Sequence, residues 1–489
     1  MIRNEAFLAK AEAEKPTLHI TSHAPLAFAP AVLREGEALC LDFGNHFVGH
    51  LRLKLGYRGS HPDAPLWLRI QLAEREQELA ESVETYHGWV SKGWVQTEQL
   101  HMDVLPAVLE LPRRYAFRYV KLEVLAASSK YALAVEDALC LAESSADDQA
   151  LLPYQTDDPF LARIDAVAVR TLHECMQQVF EDGPKRDRRL WLGDLRLQAL
   201  ACYQTYRDYA LVRRCLYLFA GCTRDDGALA AAIFTEPEIE ADDVEILDYA
   251  LLFAPILWDY YEASGDRQTL EELWPTAWRQ VELAGVRFDG QGLIRDSDQM
   301  GWCLLDWNLA LNKQAGAQGV YLYCLKAAEK IAETLGGTAS AARIRRDYEE
   351  KKRAAREFLW DRESGLFCSG QGRQRSLASQ VWMILGGVLE GEDARRLLHR
   401  LPQEDLVRPV TPYMMHHYVE AALLCGDQAL ALDILRTYWG GMVEAGADTF
   451  WEFYDPQDPD ASPYGGTIVN SYCHAWSCAP AYFLRKYFG

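Results

Sequence analysis

The chain has 489 residues, 49% of them hydrophobic and 25% charged, which excludes a disordered or fibrous protein and a single small module. Seventy-one acidic against fifty basic side chains leave a formal net charge of −21, so neither a phosphate backbone nor an anionic lipid surface is the expected partner. No apolar run is long enough to cross a membrane.

The opening residues, MIRNEAFLAKAEAEKP, are charged throughout and lack the apolar stretch of a secretory signal. Twelve cysteines are scattered without CxxC pairs or metal-ligand spacing. Together these features predict a cytoplasmic protein with free thiols, no metal and no cofactor.

From about residue 17 to 143 the apolar residues alternate. Leu51, Leu53, Leu55 and Tyr57 fall on one side of HLRLKLGY, and Leu66, Leu68, Ile70 and Leu72 repeat the pattern in LWLRIQL. ALCLDFG, FRYVKLEV and YALAVEDALCL read as further strands, so an antiparallel β-sandwich is expected, with residues 1–148 as the first domain.

Near Pro153 the period changes. Leu161, Ile164, Ala168, Leu172, Cys175 and Val179 recur every three or four residues, which predicts a helix running to Gly183-Pro184. Helical segments then recur to the C-terminus. Gly265-Asp266, Gly391-Glu392-Asp393 and Gly426-Asp427 share one grammar, a glycine able to close one helix and an acid able to open the next. Residues 149–489 therefore read as serial helical hairpins, most naturally arranged as a closed double ring, although a solenoid would read similarly. The short connection Ser144–Asp158 implies that the sandwich packs on the helices, where it could also supply a homodimer surface.

Two stretches concentrate chemistry. Asp182-Gly-Pro-Lys-Arg186-Asp187-Arg-Arg-Leu-Trp191-Leu-Gly-Asp194 gathers three carboxylates, a forked guanidinium and a flat indole in one loop. Most such charge runs are solvated helix starts, but this mixture suits a polyhydroxylated ring, with polar groups for its hydroxyls and the indole for its C–H face. The second stretch is Asp448-Thr-Phe-Trp451-Glu452-Phe-Tyr454-Asp455, followed by Asn470-Ser-Tyr-Cys-His474-Ala-Trp476. Eleven of the 42 residues from Asp448 to Gly489 are aromatic, against 11% overall; much of that is core, yet a carboxylate between Trp451 and Phe453 is costly to bury without a partner or a role. A weaker group is Asp306-Trp307, with Asp296 and Asp298 before it, and Glu245 and Asp248 are more economically read as acids at a helix start. P-loop, GxSxG and HExxH patterns are absent, leaving chemistry that two carboxylates can perform.

The combination of DFGNHFVGHLRLKL, DGPKRDRRLWLGD, TFWEFYDP and SYCHAW resembles the bacterial α-L-rhamnosidases of glycoside hydrolase family 78 over most of the chain. The resemblance implies an (α/α)6 barrel, a six-hairpin toroid, behind the sandwich, and an inverting glycosidase acting on small rhamnosides or rhamno-oligosaccharides. It implies substrate-binding roles for Asp182, Arg186, Trp191, Asp194, Asp306, Trp307, Trp451 and His474, with Glu452 as general base. The family loop D-C-P-x-R-D-E-R-x-G-W-x-G-D is one residue longer than this one and carries its acid as Glu. Counted back from Asp194, that acid's place is Asp187; counted forward from Asp182, it is Arg188, which cannot donate a proton at neutral pH. Asp187 is therefore the expected general acid. The alternatives are a silent sugar-binding homologue, or a glycosidase or lyase of other specificity.

Overall fold

The computed structural model describes residues 2–296 and 300–489. A short strand β1 (Ile2–Arg3) leads into helix α1 (Glu5–Ala13), opened by the Asn4 side chain, which accepts from the Phe7 amide. Eight antiparallel strands follow: β2 (His19–His23), β3 (Ala31–Leu33), β4 (Ala38–Gly59), β5 (Leu66–Ala73), β6 (Thr97–Met102), β7 (Ala107–Glu110), β8 (Tyr115–Ala126) and β9 (Tyr131–Ser144). The 22-residue β4 joins the halves of this sheet. Its first half pairs with β8, its second with β9 and β7, and the register shifts between Asp42 and Phe47. The alternation becomes burial: Leu51, Leu53, Leu55, Leu66, Leu68 and Ile70 are fully enclosed in one core with Val120, Leu122, Leu133 and Val135.

Beyond residue 158 the described chain is mainly helical. Asp158 accepts from the Phe160 and Leu161 amides and Pro159 fills the first helical position, so α2 (Pro159–Cys175) starts with its orphan amides satisfied. It ends eight residues before Gly183, because Met176 leaves the helix: its carbonyl accepts from Ser145, and Gln177 closes a tight turn onto Val179. α3 (Leu192–Gln204) and α4 (Tyr209–Gly221) come next, followed by α5 (Leu247–Ser264) and α6 (Arg267–Ala284), then α7 (Gln314–Thr334) and α8 (Thr338–Ala354). α9 (Leu377–Leu385), α10 (Gly391–Arg400), α11 (Pro412–Leu424), α12 (Gln428–Ile434), α13 (Gly440–Glu444) and α14 (Ala479–Tyr487) complete the set.

The expected turn grammar holds at two of its three places. Gly265 closes α5 at φ +71° and Asp266 caps α6, and Gly426 and Asp427 do the same between α11 and α12. Gly391 instead opens α10 itself, with Glu392 and Asp393 in its first turn, because Gly386-Gly387 has already turned the chain after α9. In succession α3, α5, α7, α9 and α11 pack on one another, and α14 returns to α3.

The first residues, expected with the sandwich, lie against the helices instead. β1 pairs with Cys222-Thr223, and α1 buries Leu8 and Ala11 in the helical core beside α4, where Phe7 packs on Tyr217. The two domains meet through half-buried ion pairs, among them Arg114 on Glu181 at 2.6 Å and Arg118 on Asp448 at 3.3 Å. Among the described residues, no helix is long and apolar enough to cross a membrane.

Candidate active site

The loop 182–194 is closed on itself. The Asp182 amide donates to the Arg189 carbonyl at 3.0 Å, and the Arg189 amide donates back to the Asp182 carboxylate at 3.0 Å. Inside this closure Asp187 and Arg188 both take the left-handed region, at φ +65° and +53°, a conformation that costs non-glycine residues about 1–3 kcal/mol each and is least unfavourable for Asp. This turn places Asp187 in the wall of a pocket, and its carboxylate makes no hydrogen bond to any described residue. Strand β10 (Leu190–Trp191) then places the Trp191 indole in the same cavity, and the first turn of α3 brings in Asp194.

Gly193 has a defined task. A Cβ there would stand 2.1 Å from the Tyr249 ring, so only glycine lets that ring lie on α3 and its hydroxyl donate to Asp194 at 3.2 Å.

The opposite wall carries Glu452 and His474. Glu452 is 4% exposed; Arg186 is ion-paired to one carboxylate oxygen and the Tyr464 hydroxyl donates to the other at 2.5 Å. The Trp476 indole donates to the Glu452 carbonyl at 3.0 Å. His474 sits between two acids, Nε2 at 3.8 Å from Asp182 and Nδ1 at 3.7 Å from Asp194. Ile246, Leu304, Trp302, Trp307, Tyr249 and Trp476 complete the lining, with Trp302 exposed at the rim.

Burial dominates the protonation pattern. It lifts Asp182 well above the carboxylate range, helped by neighbouring Asp187 and Asp194, and lifts Asp194 to about 8, with the Tyr249 hydrogen bond opposing and the charges of Glu452 and Asp187 reinforcing. It lowers His474 well below its usual value, and Arg186 adds to that. Glu452 is also raised by burial, against the pull of Arg186 and Tyr464 toward the anion. At neutral pH the pocket thus holds a protonated Asp194 and a neutral imidazole beside Glu452, which Arg186 clamps. Four buried polar atoms of its lining, Trp191 Nε1, Trp307 Nε1, Asp194 Oδ1 and His474 Nδ1, have no hydrogen-bond partner among the described residues, which is the complement a hydroxylated ligand requires.

Of the residues singled out from sequence, Asp182, Asp187, Trp191, Asp194, Trp307, Glu452 and His474 share this lining. Arg186, Asp306 and Trp451 stand behind it. Arg186 is spent on Glu452 and the Val469 carbonyl; Asp306 accepts from Val410 and from the Thr411 amide and hydroxyl, pinning the loop of Trp307; Trp451 packs on Tyr454 and Tyr472. Asp248 accepts from the Leu304 and Leu305 amides, Glu245 pairs with Arg224, Asp296 accepts from Asn312, and Asp298 lies outside the described residues. Tyr249, Trp302 and Tyr464 were not singled out, although Tyr249 adjoins Asp248 and Tyr464 adjoins the glycine pair 465–466.

A larger, open groove runs between the β-domain and α2, but its buried acids are already paired, Asp165 with Arg485 at 2.8 Å and Glu174 with His173 at 3.3 Å. Among the described residues, His416, His417 and Glu420 bring potential metal-ligating atoms within 4.8 Å of one another. Both Glu420 oxygens, however, accept from Arg196, and Tyr323 adds a third bond, so this trio does not fit a cation.

Residues 17–142 match the glycosyl hydrolase family 78 α-rhamnosidase N-terminal domain, and residues 153–488 match the bacterial α-L-rhamnosidase six-hairpin glycosidase domain. A rhamnosidase from Klebsiella oxytoca, solved with rhamnose bound, is 45% identical, covers 100% of this chain and 99% of its own, and superposes with a TM-score of 0.96. A family 78 rhamnosidase from Bacillus sp. GL1 shares the fold, at 23% identity and a TM-score of 0.80 over 94% of this chain and 48% of its own. An α-L-rhamnosidase of Streptomyces avermitilis is 23% identical over 335 residues, 66% of this chain; the chain spans 31% of that relative's length. The matches of both domains make the chain a member of glycoside hydrolase family 78, the family of the bacterial α-L-rhamnosidases.

Proposed function

We propose that the protein is an inverting α-L-rhamnosidase that releases terminal rhamnose from small glycosides, with Asp187 as general acid and Glu452 as general base. The observation that carries this reading is that these two carboxylates, far apart in sequence, line one pocket of indoles and unsatisfied polar atoms. The rhamnose-bound relative at 45% identity supports the choice of sugar. Ile246, Leu304 and the indoles offer an apolar surface for a 6-deoxy sugar's methyl and C–H face, and Asp182, Asp194, His474 and the two free indole N–H groups face its hydroxyls. The helical domain is read as the (α/α)6 barrel, in keeping with the serial packing that returns through α14 to α3. Twelve unpaired cysteines fit a reducing, cytoplasmic setting.

In the proposed step the C1–O bond breaks as Asp187 gives its proton to the leaving oxygen. A water oxygen bonds to C1 from the opposite face and gives a proton to Glu452. Inversion requires the two carboxyls to stand roughly 6.5–9.5 Å apart, leaving room for that water. Arg186 and Tyr464 support the role of Glu452 by holding its anion against burial. Proton NMR during turnover of an aryl α-L-rhamnoside tests the reading: β-L-rhamnose should form first. The α anomer forming first would overturn inversion, and rhamnose binding without turnover would mark a silent homologue.

A pH dependence follows from Asp194. Its folded value of about 8 lies above the unfolded carboxyl value, so the folded state holds this proton more tightly. Its contribution to stability therefore falls as pH rises from about 4 toward 8. Above about 8 Asp194 is ionised, and the pocket gains a charge and loses a donor. We expect kcat/KM to fall through that range, and Asp194→Asn to flatten the limb at its own residual rate. An unchanged limb in the variant would exclude Asp194 as its source.

A further inference from the structure

The chain leaving β5 does not turn directly into β6. Between them, residues 74–96 run from the β-domain across the loops that form the pocket. Glu74 accepts the Tyr472 amide at 2.7 Å through one carboxylate oxygen, and its other oxygen lies 3.0 Å from His46 Nε2. Glu78 is ion-paired to Lys185, whose ammonium also donates to the Asn470 carbonyl at 2.8 Å. Lys185 immediately precedes Arg186 and Asp187, so one ammonium ties the Asp187 loop to both the β-domain and the 470 loop. Glu74, Glu78 and Lys185 are each 1% exposed.

Further along, the Glu81 carboxylate accepts the Thr467 and Ile468 amides at 3.1 and 3.3 Å, and Tyr86 donates to the Tyr464 carbonyl at 3.0 Å. The Arg75 guanidinium lies over Trp451 and Tyr472, at 4.5 and 5.0 Å from their ring centres. The segments that carry Arg186, Tyr464 and Tyr472 are therefore each touched from the β-domain.

An apolar contact would join two domains at less cost. Enclosing an ammonium and two carboxylates costs several kcal/mol per ion, and their attraction offsets this only in exact geometry. What such an arrangement supplies in return is a fixed position, which a general acid and base on two separate loops need to within about an ångström.

We infer that Glu78 is a positioning residue of the active site, acting through Lys185 with Glu74 and Glu81 beside it, so that the β-domain sets the spacing between the Asp187 loop and the loops that hold Glu452. The inference rests on the roles proposed for those two carboxylates. Glu78→Gln removes the nearer of Lys185's two anions and leaves only Glu74, at 3.6 Å. It should lower kcat on an aryl α-L-rhamnoside by about 10- to 100-fold while KM stays within about threefold. The Glu78→Gln/Lys185→Met double variant should be no slower than the single one, because the two residues act as a unit, and Glu78→Asp should recover part of the rate.

Hydrogen exchange gives a readout independent of turnover. Peptides covering 182–190 and 462–472 should lose protection in Glu78→Gln, and those of α7 and β9 should not. Wild-type kcat and unchanged exchange in both loops, with only a lower Tm, would overturn the inference. Failure of the wild-type protein to hydrolyse any rhamnoside would refute the proposed function, while the exchange pattern would still decide positioning. If Glu78→Gln does not fold, the less buried Glu81→Gln carries the same comparison for 462–472.

Discussion

Glu452→Gln is expected to reduce turnover of an aryl α-L-rhamnoside by about 10²- to 10⁴-fold, the range over which a positioned base contributes. The amide has the carboxylate's shape and can still accept from Tyr464, but it cannot take a proton from water. It also strips Arg186 of its counter-charge, and a buried guanidinium left unpaired costs about 3–5 kcal/mol, so Tm should fall as well. The two effects separate in Glu452→Gln/Arg186→Met, which should regain stability and not turnover. Steady-state kinetics and thermal unfolding on both variants check this, and a single variant that keeps wild-type turnover would remove Glu452 from the mechanism.

Asp187→Asn should show a loss that depends on the leaving group. A sugar or alkyl oxygen needs a proton as its bond to C1 breaks, so the variant should lose about 10²- to 10⁴-fold there. A nitrophenolate leaves without one, and on that substrate the loss should be small. Asparagine tolerates the left-handed backbone that Asp187 adopts, so the loop need not move. Equal losses on both substrates would argue against Asp187 as the acid. If Asp194→Asn showed the leaving-group dependence instead, the proton would come from the carboxyl that burial lifts to about 8.

Much of this site was legible in the chain itself. A loop mixing acids, arginine and tryptophan, and a glutamate set between aromatics, stand out because burying such groups without purpose is expensive. Seven of the residues those stretches suggested line one cavity. Others could not be placed from their spacing. Arg186 and Asp306 carry the chemistry of sugar ligands, yet each is occupied by a protein partner, Glu452 in one case and Thr411 in the other. Tyr249 and Trp302 belong to no pattern, because an aromatic side chain on an apolar helix or loop reads as core until its neighbours are known.

The sequence by itself determined the strand and helix periods, the excess of negative charge and the two stretches where chemistry concentrates, because each depends on residues near one another along the chain. Only the tertiary structure decided that α1 packs on the helices, that Asp187 is presented from a left-handed turn, that Gly193 admits Tyr249, and that Lys185 is held by an acid of the β-domain. The physical reason is the same in each case. A buried charge or a close contact takes its energy from a partner distant in sequence, and local pattern carries no record of that partner.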